Sequence, residues 1–250
     1  MKAVIHQPYF LPWMGYFSKL IHADKFIVLD NVYYSAHNYI DRTQIINPQG
    51  NLMWLKLPIG SPIKRRINEI DFIDYTNINI NNEINKIIQT LHASYSKARF
   101  FKENINSIKT ILIDSFLNYS LLSEINIYII IKLMELLKMK IPQIIYSSFF
   151  HTIENATDRI IMLCEQTHCN HIIVGSIEGI YVHDEHRIKK SGISFLLQDY
   201  FNNHPTYYQT RRQQLGFVKG LSIIDCIFNE GIEKTKRLLF DSKLLNTTST

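Results

Sequence analysis

Ile5-His-Gln-Pro-Tyr-Phe-Leu-Pro-Trp-Met-Gly-Tyr-Phe17 is the stretch that decides the fold. It starts at the end of an apolar run, Ala3-Val-Ile5, which reads as a short buried strand. Pro8 and Pro12 follow. Each lacks a backbone N–H, so the pair fits neither a helix interior nor a central strand. The chain therefore leaves the strand as a stiff loop. Trp13-Met-Gly-Tyr16 then opens an amphipathic helix over residues 16–22, and Phe26-Ile-Val-Leu29 reads as a second buried strand ending at Asp30-Asn31. Strand, loop, helix and strand make a βαβ unit of nearly minimal length. In such units the strand ends and the helix start form the ligand crevice. His6, Gln7 and Asp30 stand at two such ends and are expected to face one pocket.

Composition narrows the class. The chain has 250 residues, 46% hydrophobic and 20% charged, so it is globular and long enough for a sizeable core. The net charge of +5 is mild. Its compact basic groups, Lys64-Arg65-Arg66 and Arg211-Arg212, are either solvated surface or a pocket for an anion such as a nucleotide diphosphate. Nucleic acid calls for a broader basic face, so it is not an expected partner. Cys164-x4-Cys169 has no second pair and Cys226 stands apart, which argues against structural zinc and for a reduced cytoplasmic setting. Lys2 before a three-residue apolar run does not make a signal peptide. The apolar stretch at 125–137, about 13 residues and interrupted by Asn126, Lys132 and Glu135, is too short to span a bilayer and reads as a buried helix.

Further along, residues 32–39 mix Tyr33, Tyr34, Tyr39 and His37 with nearby Arg42, either the lining of a wet cleft or an edge strand. Asn47-Pro-Gln-Gly50 is a turn signal inside a hairpin over 43–57. Residues 67–73 alternate enough for a strand. Helical spacing then marks three consecutive helices: one capped at Asn81 or Asn82, one over 97–117 and one over 120–138. The α/β pattern resumes with strands at 143–146, 171–174 and 193–197 and helices at 158–166 and 183–190. These strands end at Ser147, Gly175-Ser176 and Asp199-Tyr200, polar or small groups where an open parallel sheet places its ligand. Ser222 and Asp225 share a helix face, with Ser222 read as the cap and Gly231 as the helix end. The expected architecture is an open, mainly parallel Rossmann-like α/β sheet. One domain covers 1–245, with a helical insertion or cap over 82–138 and a polar tail at 246–250.

Several of these pieces together resemble the WbqC-like protein family. They are Ile5-His-Gln-Pro-x-x-x-Pro-Trp-x-Gly-Tyr-Phe17, Leu29-Asp30-x-Val32, Pro48-x-Gly50, and Tyr95-x-Lys97-Ala98 with Phe100-Phe101. Gly175-Ser176 with Tyr181, His204-Pro205 with Tyr207 and Gln209, and Leu221-Ser222-Ile-Ile-Asp225 complete the set, from residue 5 to about residue 231. The chain departs from the family pattern at Tyr33, where Gln is usual, and at Asp41-Arg42, where Asn-Arg is usual. The resemblance implies a place in bacterial surface-polysaccharide biosynthesis, the O-antigen of lipopolysaccharide. There the implied activity is attachment of glycine or another acyl group to a sugar.

The expected function is accordingly a transferase acting on a nucleotide-linked or amino sugar. Its activated donor is left open between ATP and another acyl donor, and its oligomeric state is left open too. Such transfer needs a proton acceptor: His6 is the candidate, and Asp30 the group that either orients it or binds a metal. Candidate binding residues at the strand ends and the first loop are Gln7, Tyr9, Trp13, Gly15, Tyr16, Gly175, Ser176 and Asp199. Arg42 and Lys97 are candidate anion clamps, against plain surface charge. Tyr181, Tyr207 and Trp13 read as stacking surfaces or as core, with His204 and Gln209 beside them. One alternative is a non-catalytic sugar-nucleotide-binding or scaffold protein. Another is a degenerate nucleotidyltransferase-like enzyme, since Pro12-Trp-Met-Gly-Tyr16 lies where those folds carry His-x-Gly-His. Trp13 and Tyr16 replace both imidazoles, so only the fold analogy survives.

Overall fold

A computed structural model describes residues 1–36, 38–72, 80–211, 213, 215–240 and 244–246. In chain order the strands are β1 (Lys2–His6), β2 (Lys25–Val28), β3 (Arg42–Ile46), β4 (Leu52–Lys56), β5 (Gln143–Tyr146), β6 (His171–Val174), β7 (Ser194–Leu197) and β8 (Leu245–Asn246). The helices are α1 (Met14–Leu20), α2 (Ile80–Tyr95), α3 (Phe101–Asn118), α4 (Leu122–Leu136), α5 (Ala156–Gln166), α6 (Glu178–Tyr181), α7 (Glu185–Lys190) and α8 (Ile223–Phe240). One sheet runs β5-β2-β1-β6-β7-β8, and β3 pairs with β4 in a separate antiparallel hairpin. Every pairing from β5 to β7 is parallel, and only β8 is antiparallel. This is the mainly parallel Rossmann-like architecture expected above.

Strands buried on both faces need apolar residues at successive positions, because neighbouring side chains point to opposite sides. In β1 and β2 that alternation feeds two cores. Ala3 and Ile27 pack with Ile160 and Leu163 of α5 and Ile188 of α7. Val4, Phe26 and Val28 face the larger core, which α1, the β3–β4 hairpin, α2, α3, α4 and α8 share. The three helices expected near 82–138 are α2, α3 and α4, and all three contribute to that larger core. The apolar stretch read as a buried helix is α4, with Ile125, Ile129, Ile130 and Leu133 fully buried. Among the described residues no helix is long and apolar enough to cross a membrane.

One local expectation changes. Residues 67–73 were expected to form a strand; Ile67–Glu69 is instead a 3-10 turn. The Glu69 carboxylate accepts the Arg66 N–H at 2.9 Å and closes that turn. Among the described residues of this stretch, what remains of strand pairing is a single bridge, Asp71 to Leu121. The Ser222 hydroxyl, just ahead of α8, donates to the Leu11 carbonyl at 2.8 Å. Gly231 ends the first helical segment of α8 as expected: its φ of 77 and ψ of 172 are not helical, the point a Cβ would occupy lies 3.0–3.2 Å from the Phe100 ring, and a second segment runs on to Phe240. Of the residues read from sequence, His37, Ile73, Arg212 and 247–250 lie outside the described residues.

Candidate functional site

Because β5, β2, β1, β6 and β7 are parallel, His6, Asp30, Ser147, Ser176 and Asp199 all lie toward one edge of the sheet. They fall into two groups. From β1 the chain builds outward to β2 and β5 on one side and to β6 and β7 on the other. The switch point between β1 and β6 is where an open α/β sheet leaves a crevice. A cavity of about 640 Å³ lies there. His6 from β1, Val174-Gly175-Ser176 from β6, and Asp199 and Asn202 beyond β7 line it. Tyr9, Trp13, Tyr39 and Phe201 add aromatic walls, and Lys19, Glu178 and His183 add charge or polarity.

The loop between β1 and α1 is fixed by groups from remote parts of the chain. Asn126, fully buried in α4, donates to the Pro8 carbonyl at 3.0 Å and to the Ile40 carbonyl at 2.7 Å. Tyr16 donates to the Gln7 carbonyl at 2.9 Å, and the Asn38 amide donates to the Gln7 side chain at 2.9 Å. Leu11 is fully buried with φ 42, a left-handed conformation costly for a branched residue. Its carbonyl accepts from the hydroxyls of Thr43 at 3.0 Å and Ser222 at 2.8 Å. Trp13 then pairs with Ser222 as an isolated bridge. Its ring stacks on His204 at 6.3 Å and meets Tyr200 and Phe201 edge-on. Gly15 makes that ring position accessible, since a Cβ there would stand 2.2 Å from the nearest Trp13 ring atom.

Electrostatically the cavity is unusual. His6 packs edge-on against Tyr9 at 4.6 Å and Tyr16 at 4.9 Å, and its Nδ1 lies 3.0 Å from the Gln7 carbonyl. A carbonyl only accepts, so Nδ1 carries the proton and Nε2 is the bare acceptor. Burial first, and Lys19 second, lower the His6 pKa to about 3. The ring is therefore neutral at physiological pH, and a titration near neutrality, ordinary for histidine, is not its property here. Burial also lowers the Lys19 pKa to about 8. A hydrogen bond from Ser176 lowers that of Glu178. Burial raises Tyr9 to about 12.

The sequence-derived candidates divide between this cavity and elsewhere. His6, Tyr9, Trp13, Gly175, Ser176 and Asp199 line it. Tyr16 supports His6 from behind, and Gly15 supports Trp13. Gln7 is held by Asn38 and Tyr16. Asp30 lies outside the lining, on the β2–β5 side. It accepts from Ser147 at 2.9 Å and from the Ser148 N–H and hydroxyl at 2.9 and 2.6 Å, tying the two strand ends together. Arg42 lies over the Trp54 ring at 4.5 Å, and Lys97 is exposed. Tyr181 is 77% exposed, away from the lining. His204 backs Trp13, Tyr207 donates to Asp225 at 2.7 Å, and Gln209 is bonded both ways to Val218. In the basic run, Arg65 pairs with Asp71 and Arg66 with Glu154. Sequence reasoning missed Lys19, Glu178, His183 and Asn202. For Lys19 a signal existed, a lysine inside the otherwise uncharged run Trp13-Met-Gly-Tyr-Phe-Ser-Lys-Leu20.

Among the described residues no group of three or more His, Cys, Asp or Glu side chains could hold a metal ion. The sequence pattern of the WbqC-like protein family matches residues 7–237. The uncharacterized protein Rv1507c of Mycobacterium tuberculosis is 27% identical over 244 residues, covering 93% of this chain and 95% of its own. No solved structure matches significantly.

Proposed function

The chain belongs to the WbqC-like protein family, and from that premise we propose that it is a transferase of bacterial surface-polysaccharide, O-antigen, biosynthesis. It attaches an acyl or aminoacyl group to an amino sugar or nucleotide-linked sugar bound in the cavity between β1 and β6. The observation that carries this reading is the cavity itself. Its aromatic walls, Tyr9, Trp13, Tyr39 and Phe201, suit a sugar or base, and a fixed acceptor, His6, stands at the strand end. In this mechanism His6 Nε2 accepts the hydrogen bond of the attacking amine or hydroxyl and aims its lone pair at the acyl carbon. Asp30 acts as a positioning residue through the β2–β5 strand ends. The proposed donor is an acyl compound activated by ATP or by another activating group, which departs with its bonding electrons as the acyl–nitrogen or acyl–oxygen bond forms and the attacking group's proton is lost. The three free, buried cysteines support a cytoplasmic setting.

The test is a thermal-shift screen of the purified chain against nucleotide sugars, amino sugars, ATP and amino acids, followed by mass spectrometry of mixtures that bind. A sugar that raises the melting temperature and gains the mass of an acyl group is expected. His6→Gln should keep that binding while turnover falls roughly 10²–10⁴-fold. If none of the sugars shifts the melt, the reading fails. One observation favours the second reading, a non-catalytic sugar-nucleotide-binding protein: burial holds His6 far below the pKa that serves a general base. Under that reading sugars bind and no product mass appears.

A further inference from the structure

Lys19 is 6% exposed in a helix whose every residue from Met14 to Leu20 is buried. An ammonium group in such a place is strongly disfavoured unless paired. Among the described residues no carboxylate stands within ion-pair distance of it. Its aromatic neighbour is the Tyr16 ring, 5.7 Å from Nζ. The carboxylates lining the same cavity are engaged elsewhere. Asp199 accepts from the side-chain amides of Asn202 at 2.6 Å and Asn203 at 3.2 Å, and Glu178 accepts from Ser176. His6 beside it is a neutral acceptor and offers no counter-charge. Gly175 then decides what the ammonium faces. Nζ stands 3.8 Å from the point a Cβ at Gly175 would occupy, so the bare end of β6 leaves it open to the cavity.

We infer that Lys19 is the anchor for an oxyanion: the ligand of this cavity carries a carboxylate or phosphate oxygen that seats on Lys19 Nζ beside Gly175. The ligand thereby supplies the counter-charge that the fold withholds, through a charge-assisted hydrogen bond in a site shielded from water. This rests on the reading above only in taking the cavity as a ligand site. Its test uses neither sugar nor turnover, so the two can fail separately.

The probes are sodium pyrophosphate for the phosphate source and sodium acetate for the carboxylate source, against sodium chloride at equal ionic strength. The full chain is melted with each, as wild type and as Lys19→Met. At least one probe should raise the wild-type melting temperature, and its apparent affinity should fall at least tenfold in Lys19→Met. Which probe responds identifies the source of the oxyanion. Without probe the methionine variant should melt no lower than wild type, because the uncompensated charge is gone. A wild type indifferent to both probes, or a variant that responds equally, overturns the inference. A second measurement needs no variant. Wild-type protein is acetylated with an N-hydroxysuccinimide ester and Lys19 labelling is followed by mass spectrometry. Pyrophosphate or acetate should slow labelling at Lys19 several-fold and leave exposed Lys97 unchanged. Equal labelling with and without the probes also overturns it.

Discussion

Replacing Gly15 by alanine sets two effects of opposite sign against each other. A glycine-to-alanine change inside a helix is worth at most about 1 kcal/mol in favour of folding, because alanine loses less backbone freedom. Here the new methyl would lie 2.2 Å from Trp13 Cη2 and 2.5 Å from Cζ2 and Cζ3. Carbon atoms settle at about 3.5–4.0 Å, so the ring must retreat by more than about 1 Å. It cannot do so freely, with Tyr200 and Phe201 at 5.9 and 6.0 Å and His204 stacked at 6.3 Å. Overpacking of this kind costs about 1–3 kcal/mol. The expected net loss is about 1–2 kcal/mol, a fall in melting temperature of about 2–8 °C for a domain of this size. The displaced wall should also move Trp13 emission. The chain's other tryptophan, Trp54, is 37% exposed, so the emission is read in a Trp54→Phe background. A Gly15→Ala protein that melts higher than its parent with unchanged Trp13 emission would refute the packing argument.

Three further expectations follow from the same geometry. The His6 pKa is depressed from 6.5 to about 3, so its contribution is full above pH 6.5 and is lost as pH falls toward 3. Denaturant titrations should show wild type losing up to about 1.4 kcal/mol per pH unit more than His6→Gln across that window, and parallel curves would count against it. Asp225 has the opposite sign. Burial raises it from 3.8 to about 6, so its stabilising neutral form is fully present below 3.8 and lost as pH rises through 6. Asp225→Asn should therefore be more stable than wild type at pH 7 by about 1–3 kcal/mol, with the gap closing near pH 4; a variant weaker at both values would mean that the Tyr207 bond needs the carboxylate. Finally, Ser222→Ala and Thr43→Val should each cost about 1 kcal/mol while the other hydroxyl still holds the Leu11 carbonyl. The double variant should cost more than the sum, and strict additivity in a double-mutant cycle would show that the two bonds are independent.

Much of the sheet was legible because its strands are buried on both faces. His171-Ile-Ile-Val174 and Phe26-Ile-Val28 read as short apolar runs with polar ends, whatever lies beside them. Which ends share a cavity was not legible, since that depends on strand order. Asp30 was expected to face His6 because β2 adjoins β1, yet Ser147 and Ser148 at the end of β5 claim its oxygens, while β6 supplies the cavity's other wall. Lys19 escaped notice for a related reason. A lysine in a short helix is ordinarily placed outward, but α1 is enclosed on all sides, with Ser18 bonded to the Leu239 carbonyl of α8. Residues 67–73 misled because alternation is a local signal, and a carboxylate two residues into the stretch closed a turn.

The bond from Ser222 to the Leu11 carbonyl spans 211 positions, and that from Thr43 spans 32. Synthesis runs in one direction, so the first loop to leave the ribosome waits longest for its partners. Until Ser222 is made, Thr43 supplies the one of these two hydroxyls in place at the Leu11 carbonyl. The parallel pairing of β1 with β2 needs only the first 28 residues and can precede that moment. The first pairing of the sheet can therefore precede the last bond of its ligand edge. A nascent chain stalled before Ser222 would have the bonds from Thr43 and Asn126 but lack the Ser222 bond, and a binding assay on stalled chains should read weaker binding than on released ones.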